Sequence, residues 1–203
     1  MLDISGRVVV IVGGGAVAAR KAAGVLEAGA RDVRVVAPRV TGSFAPNVKI
    51  VTEEYRPQHL DSAGLIFAAT DDPTINAQVV RDARARGVLV CRADADADDP
   101  GDFATPAKFR EGSVIVAVSA SGNPALAAMV RDRLWQRFDR RWSAMADAMA
   151  TLRPAIRAMP QAAQPKRAEV FRSLASDDAM AALDAGGIDA LREWLASRFP
   201  ELK

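Results

Sequence analysis

The 203-residue sequence predicts an α/β fold, a doubly wound, mainly parallel sheet followed by a helical C-terminal part. Three observations carry that prediction. A run of five β-branched residues from Val8 to Val12 breaks into Gly13-Gly14-Gly15 and then into an alanine-rich segment. Short apolar stretches alternate with helical ones over the first half of the chain, as successive βαβ units require. Beyond Pro124 the strands stop, and apolar residues recur at spacings of three and four.

The first turn is the most informative stretch. Gly13, Gly15 and Ala18 occupy the small positions of G-x-G-x-x-G/A, the fingerprint of a Rossmann-type dinucleotide site. Gly13 permits the tight turn out of the strand, and Gly15 leaves room for a pyrophosphate. Ala18 lets the helix lie close on the sheet. The helix N-terminus presents free N–H groups and a partial positive charge to the phosphates. With a buried-type strand before it and a helix after it, the turn reads as a nucleotide site rather than a plain corner.

The remaining elements follow in order. The first helix runs from Ala16 to about Ala28, with Gly29 as its terminator. A second strand over 33–37 ends at Pro38. NAD-binding units usually carry an acid here for the ribose hydroxyls. This chain has Ala37-Pro38-Arg39 instead, and Arg39 suits a 2′-phosphate. Strands are expected over 48–52 and 65–69. Thr70-Asp71-Asp72-Pro73 then starts a helix, with Asp72 as N-cap and Pro73 at N1, which closes at Gly87. Fifth and sixth strands are expected over 88–91 and 113–119. The ligand belongs at the carboxyl ends of the strands, where Gly13, Pro38, Thr70 and the loop after Cys91 all fall.

That last loop packs five carboxylates into residues 94–102. A calcium loop is excluded, because its sixth position is Asp99 rather than Gly and its twelfth is Thr105 rather than Glu. Most of these acids read as a solvated, mutually repelling surface. A carboxylate just after the strand end would instead face the nucleotide crevice. Neighbouring negative charge is expected to raise its pKa toward proton transfer, and Asp94 and Asp96 are best placed for that work.

The second half reads as helical from Pro124 to about Ala150, with Val130, Leu134, Phe138, Trp142, Met145 and Met149 forming one apolar stripe. Such a stripe is more often core or subunit interface than a cofactor box. Arg131, Arg133, Arg137, Arg140 and Arg141 decorate the same segment, either as a solvated face or as a landing site for a polyanion. Shorter helices are expected over 166–175 and 188–197, with Gly186-Gly187 as a break.

Composition closes off several classes of function. Hydrophobic residues make up 50% and charged residues 26%, which is the balance of a globular chain able to bury a core. A net charge of +2 gives no argument for nucleic acid. Cys91 is the single cysteine, so no internal disulfide forms, which suits a reducing cytosol. No apolar stretch reaches the ~18 residues of a membrane span, and no secretory signal pattern is visible. The expected location is cytoplasmic. Tyr55 is followed four residues on by His59 rather than Lys, so a Tyr-x-x-x-Lys dehydrogenase site is missing. His59 reads as a surface residue and Cys91 as a buried hydrophobe, and no Cys/His spacing suits zinc.

Four motifs in order carry a family resemblance. They are the stretch from Gly13 to Lys21, Phe67-Ala68-Ala69-Thr70-Asp71-Asp72 with Asn76, Gly101-Asp102-Phe103 with Pro106, and Val116-Ala117-Val118-Ser119. Over roughly residues 1–135 the chain resembles the precorrin-2 dehydrogenases of the siroheme synthase N-terminal type, some of which are also sirohydrochlorin ferrochelatases. The resemblance implies NAD⁺-dependent oxidation of precorrin-2 to sirohydrochlorin. It implies that Gly13, Gly14, Gly15, Ala16 and Val17 hold the pyrophosphate, that Pro38 and Arg39 border the adenosine, and that Thr70 and Asp71 line the nicotinamide side. Members of the family also place Ala-Pro after the second strand, so the missing acid is no objection. An aspartate beyond the fifth strand is the family's candidate for proton transfer and metal insertion. Counting from the strand selects Asp94, and counting back from Phe103 selects Asp96.

The resemblance also divides the chain into an NAD-binding domain over 1–112, a dimerisation segment over 113–150 and a helical domain over 151–203. It implies a homodimer, with ferrous iron as a second substrate in those members that chelate. The eight-carboxylate tetrapyrrole would give the arginines a purpose. The alternative from another class is a non-catalytic NAD(H)-sensing dimeric module.

Overall fold

Val8-Val9-Val10-Ile11-Val12 forms β1 (Val8–Val12), and every residue after the first is buried. The run is apolar without alternation because both of its faces are covered. Val9 and Ile11 pack on one side with Ala18, Ala22 and Val25, whereas Val10 and Val12 pack on the other with Val79, Val80 and Ala83. The first set belongs to α1 (Ala16–Glu27) and the second to α2 (Pro73–Ala85). Fully burying each such valine or isoleucine contributes roughly 1.5–3 kcal/mol, so β1 is the strand on which both layers depend.

The computed structural model describes residues 2–94, 99–159 and 164–200. They fall into two units, Met1–Thr105 and Pro106–Lys203. In the first, β1 pairs with β2 (Asp32–Val36) and β4 (Leu65–Ala68), and the sheet is completed by β3 (Lys49–Val51) and β5 (Val90–Arg92). The order is β3-β2-β1-β4-β5 with every pair parallel, which is the doubly wound Rossmann arrangement. The helix boundaries follow the sequence rules. Asp72 caps α2 by accepting from the Thr74 and Ile75 N–H groups at 2.7 and 3.3 Å, with Pro73 at the first helical position. Gly29 and Gly87 take up positive φ just beyond α1 and α2.

The second unit departs from expectation in two places. The stretch expected as a sixth strand forms β7 (Val114–Val118), but it pairs antiparallel with β6 (Ala107–Glu111) in a separate two-stranded sheet. The expected helix from Pro124 to Ala150 is two helices, α3 (Pro124–Gln136) and α4 (Arg141–Arg157). The break is tertiary in origin. Phe109 on β6 meets the Trp135 and Phe138 rings edge-on at 5.1 and 5.4 Å, and Phe138 meets Trp142 at 5.2 Å. Asp139 then accepts from the Arg141 N–H at 3.0 Å and starts the next helix.

The apolar stripe is divided accordingly. Met145 is buried in the unit's own core with Leu152, Ile156, Val170, Leu174 and Leu191, and Met149 packs against that core. Leu134 and Trp142 remain 44% and 49% exposed. The core is closed by α5 (Gln164–Leu174) and α6 (Asp177–Arg198), and α6 is kinked at Gly186 and Gly187, where the break was expected. Among the described residues no helix is long and apolar enough to cross a membrane.

Candidate functional site

Parallel strands bring their carboxyl ends to one edge, and the turns after β1, β2, β4 and β5 meet there in the first unit. At the turn after β1, three glycines serve three purposes. Gly13 has φ +132°, and a Cβ on it would lie 2.2 Å from the Ala69 carbonyl oxygen. A Cβ on Gly14 would lie 2.2 Å from the Arg39 carbonyl oxygen, so the middle position is as constrained as Gly13 before it. A Cβ on Gly15 would meet nothing within 4 Å. Two glycines therefore close the turn against its neighbours, and the third leaves open space.

That open space faces an uncapped helix. Gly15 is the N-cap of α1, no side chain satisfies the first-turn N–H groups, and Ala16 is exposed and Val17 half-buried. In contrast, α2, α3 and α6 are capped by the side chains of Asp72, Asn123 and Ser176. A dinucleotide pyrophosphate fits this arrangement, because it would supply the acceptors that the sequence withholds.

The loop after β2 is fastened onto the same turn. Thr41 and Gly42 both donate their N–H groups to the Gly14 carbonyl at 2.9 Å. A Cβ on Gly42 would lie 2.7 Å from the Gly15 carbonyl oxygen. Gly42 was not singled out by its sequence, since nothing local marks an isolated glycine as a packing partner for a turn 27 residues earlier. Pro38 and Arg39 are exposed at the head of this loop.

At the turn after β4, Asn76 organises Thr70. Asn76 is completely buried. Its Oδ1 accepts from the Thr70 N–H at 3.1 Å and from the Thr70 hydroxyl at 2.8 Å, while its Nδ2 donates to the Thr70 carbonyl at 3.0 Å. Thr70 is thus held half-exposed at the edge, with Asp71 fully exposed beside it. Asn76→Ala strands both Thr70 backbone groups and is expected to cost roughly 1–3 kcal/mol of unfolding free energy, measurable by urea denaturation.

The acidic loop differs most from its sequence reading. Arg92, the last residue of β5, grips Asp94 with Nε at 2.7 and 2.9 Å and Nη2 at 2.6 Å, and the two side chains are 12% and 21% exposed. Arg84 of α2 binds Asp99 through two nitrogens at 2.6 and 3.0 Å and Asp102 at 3.0 Å. Asp102 in turn accepts from the Val90 N–H at 3.1 Å. Three of the five acids are therefore ion-paired rather than mutually repelling. Asp96 and Asp98 lie outside the described residues. The expectation of a raised pKa at Asp94 is overturned. Burial pushes the carboxyl up, but the Arg92 hydrogen bonds and charge outweigh it and hold Asp94 below its ordinary value.

Other candidates are structural. His59 is not a free surface residue, because its side chain is only 15% exposed and its Nδ1 accepts from the Arg56 N–H at 3.0 Å. Tyr55 donates to Asp82 at 2.9 Å, and burial pushes its phenol well up. Cys91 is buried, as its strand position predicts, and burial raises its thiol pKa.

Comparison with known proteins agrees with this geometry. A family described as "Putative NAD(P)-binding" matches residues 1–107. Siroheme synthase 2 of Aeromonas hydrophila is 31% identical over 206 residues, covering 98% of this chain and 43% of that protein. Siroheme synthases of Photobacterium profundum and Photorhabdus laumondii are 41% and 37% identical over 138 and 139 residues, covering 65% and 66% of this chain and 29% of each of those proteins. The chain thus spans less than half the length of these curated relatives. In fold it is similar to "SirC, precorrin-2 dehydrogenase", with a TM-score of 0.72 and 23% identity over 97% of this chain and 98% of that one. The glycine turn, the matched domain and the relatives converge, and the chain belongs to the NAD(P)-binding family of the siroheme synthase N-terminal type.

Proposed function

We propose that the protein is an NAD⁺-dependent dehydrogenase that oxidises precorrin-2 to sirohydrochlorin in siroheme biosynthesis. The observation that carries this reading is the uncapped, open glycine turn at the same sheet edge as a half-buried carboxylate, Asp94, just beyond β5. Bound at that turn, the nicotinamide ring supplies a hydride acceptor. The first-turn N–H groups from Gly15 to Val17 bind the pyrophosphate, Pro38 and Arg39 border the adenosine, and Thr70 and Asp71 flank the nicotinamide side. Of the two hydrogens the substrate would lose, the cofactor would accept one as hydride, and Asp94 or Asp96 would take the other as a proton. The same carboxylates would receive the two protons that leave the pyrrole nitrogens if ferrous iron is inserted afterwards.

The partner we assign is a second copy of the chain, joined through residues 113–150. Leu126, Met129, Leu134, Trp135 and Trp142 are all exposed there, an apolar patch of the kind that marks an interface.

The test is anaerobic incubation of the purified protein with precorrin-2 and NAD⁺, then with added ferrous iron. NADH formed in step with sirohydrochlorin is the expected result, and loss of sirohydrochlorin faster than the enzyme-free control would add chelation. Tight NAD⁺ binding without turnover would instead favour a nucleotide-sensing module.

A further inference from the structure

We infer that Asn76 is a positioning residue for the proposed reaction, one amide that holds the nicotinamide-side turn and the proton acceptor Asp94 in a single frame. The inference rests on the dehydrogenase reading and adds a residue that belongs to neither the glycine turn nor the acidic loop. Among the described residues of the first unit, Asn76 is the one buried polar side chain.

The amide of Asn76 can accept two hydrogen bonds and donate two, and the site uses all four. Oδ1 takes the Thr70 N–H and hydroxyl, and Nδ2 gives one hydrogen to the Thr70 carbonyl. The second hydrogen of Nδ2 goes to the Asp94 carboxylate. A flipped amide would set Nδ2 against a donor N–H, and Oδ1 against a carbonyl and a carboxylate. The orientation is therefore fixed from the Thr70 side, and Asp94 receives whatever direction Thr70 imposes.

Backbone geometry brings the two residues to one amide. Ala68 is paired with Arg92, and the Ala93 N–H donates to the Ala68 carbonyl at 2.9 Å. β4 and β5 thus leave the sheet in step, with Thr70 two residues beyond Ala68 and Asp94 two beyond Arg92. A second tie runs to the same helix end. Arg92 Nη2 donates to Asp94 at 2.6 Å and to the carbonyl of Pro73, the first residue of α2, at 3.3 Å. The start of α2 is consequently the platform on which the proton acceptor and the nicotinamide-side turn are both mounted.

The test compares Asn76→Ala and Asn76→Asp in the full chain with Val79→Ala, a buried α2 position one turn on that touches neither Thr70 nor Asp94 through a hydrogen bond. Asn76→Asp keeps the acceptors for Thr70 and places a like charge beside Asp94. Carbon-13 NMR of the unliganded protein follows the Asp94 carboxyl, identified by its loss in Asp94→Asn. Its titration should move up in Asn76→Ala and further up in Asn76→Asp. At saturating NAD⁺ both variants should lose roughly 10- to 100-fold in kcat, the scale of a misplaced reacting group, with the Kd for NAD⁺ within about threefold. Val79→Ala should lower the melting temperature and move neither the titration nor kcat. An Asp94 titration unmoved in both Asn76 variants overturns the inference, and so does a kcat kept within about twofold, or a Val79→Ala variant that shifts the titration equally. If the parent protein does not turn over precorrin-2, the dehydrogenase reading fails, and the NMR titration alone then decides whether Asn76 ties Asp94 to the turn.

Discussion

Gly15→Val should abolish dinucleotide binding without unfolding the protein. Gly15 has φ −90° and ψ −170°, an extended conformation that a β-branched residue adopts without strain. A Cβ there meets no neighbouring atom within 4 Å, so the side chain projects into the open space in which the pyrophosphate would bind. The expected result is a Kd raised by at least about 100-fold, equivalent to about 2.7 kcal/mol, with a melting temperature within ~2 °C of the parent. Gly14→Ala should do the opposite. Its Cβ would collide with the Arg39 carbonyl and with the Ala37 Cβ at 2.9 Å, neither of which is a flexible side-chain end. A stability loss of about 1–3 kcal/mol is expected there, with binding lost as a consequence of the displaced turn. Isothermal calorimetry and thermal unfolding on the two variants separate the cases. Unaltered affinity in Gly15→Val would remove the nucleotide assignment.

That contrast marks where the sequence was legible. The strand-to-helix turn, the Asp72-Pro73 helix start and the Gly29 and Gly87 terminators are local rules, and local rules can be read from spacing. Gly14 is different, because its need for glycine comes from a carbonyl 25 residues away that the fingerprint does not mention. β6 was missed for a related reason. Lys108, Arg110 and Glu111 make Ala107–Glu111 look like a polar loop, and only pairing with β7 turns it into a strand. The break between α3 and α4 has no glycine or proline to announce it, and the apolar spacing runs straight through. It depends on Phe109 meeting Trp135 and Phe138, a contact between elements. The acidic loop failed for the same reason in electrostatic form. Five like charges within nine residues suggest repulsion, but Arg84 reaches Asp99 and Asp102 from α2, and Arg92 turns back onto Asp94 at the end of β5.

The Arg92–Asp94 pair sets the second large effect. If Asp94 is the proton acceptor, Asp94→Asn should lower kcat by roughly 10²–10⁴ with little change in the Kd for the dinucleotide. Asp96→Asn, made in parallel, distinguishes the two carboxylates, and two fully active variants would remove both. The ion pair makes a further demand on the pH profile. Asp94 must be ionised to accept a proton, and its folded pKa is depressed below the ordinary carboxylate value because Arg92 outweighs the effect of burial. The acid limb of kcat/KM should therefore lie below the ordinary carboxylate range, with activity flat across pH 5–7.

Arg92→Gln removes the strongest lowering influence and leaves burial opposed only by the Asp94 backbone and Asn76 hydrogen bonds, so the pKa rises. The limb should then move up. The stability linkage has the same sign. A depressed folded pKa gives stability that is fully present above the unfolded pKa and is lost as pH falls through the folded one, so Arg92→Gln should destabilise the protein at neutral pH and flatten its acid unfolding curve. A limb unmoved in Arg92→Gln would assign it to a different group. A limb that moves together with the acid unfolding midpoint would tie the catalytic proton to the one carboxylate that β5 holds against an arginine.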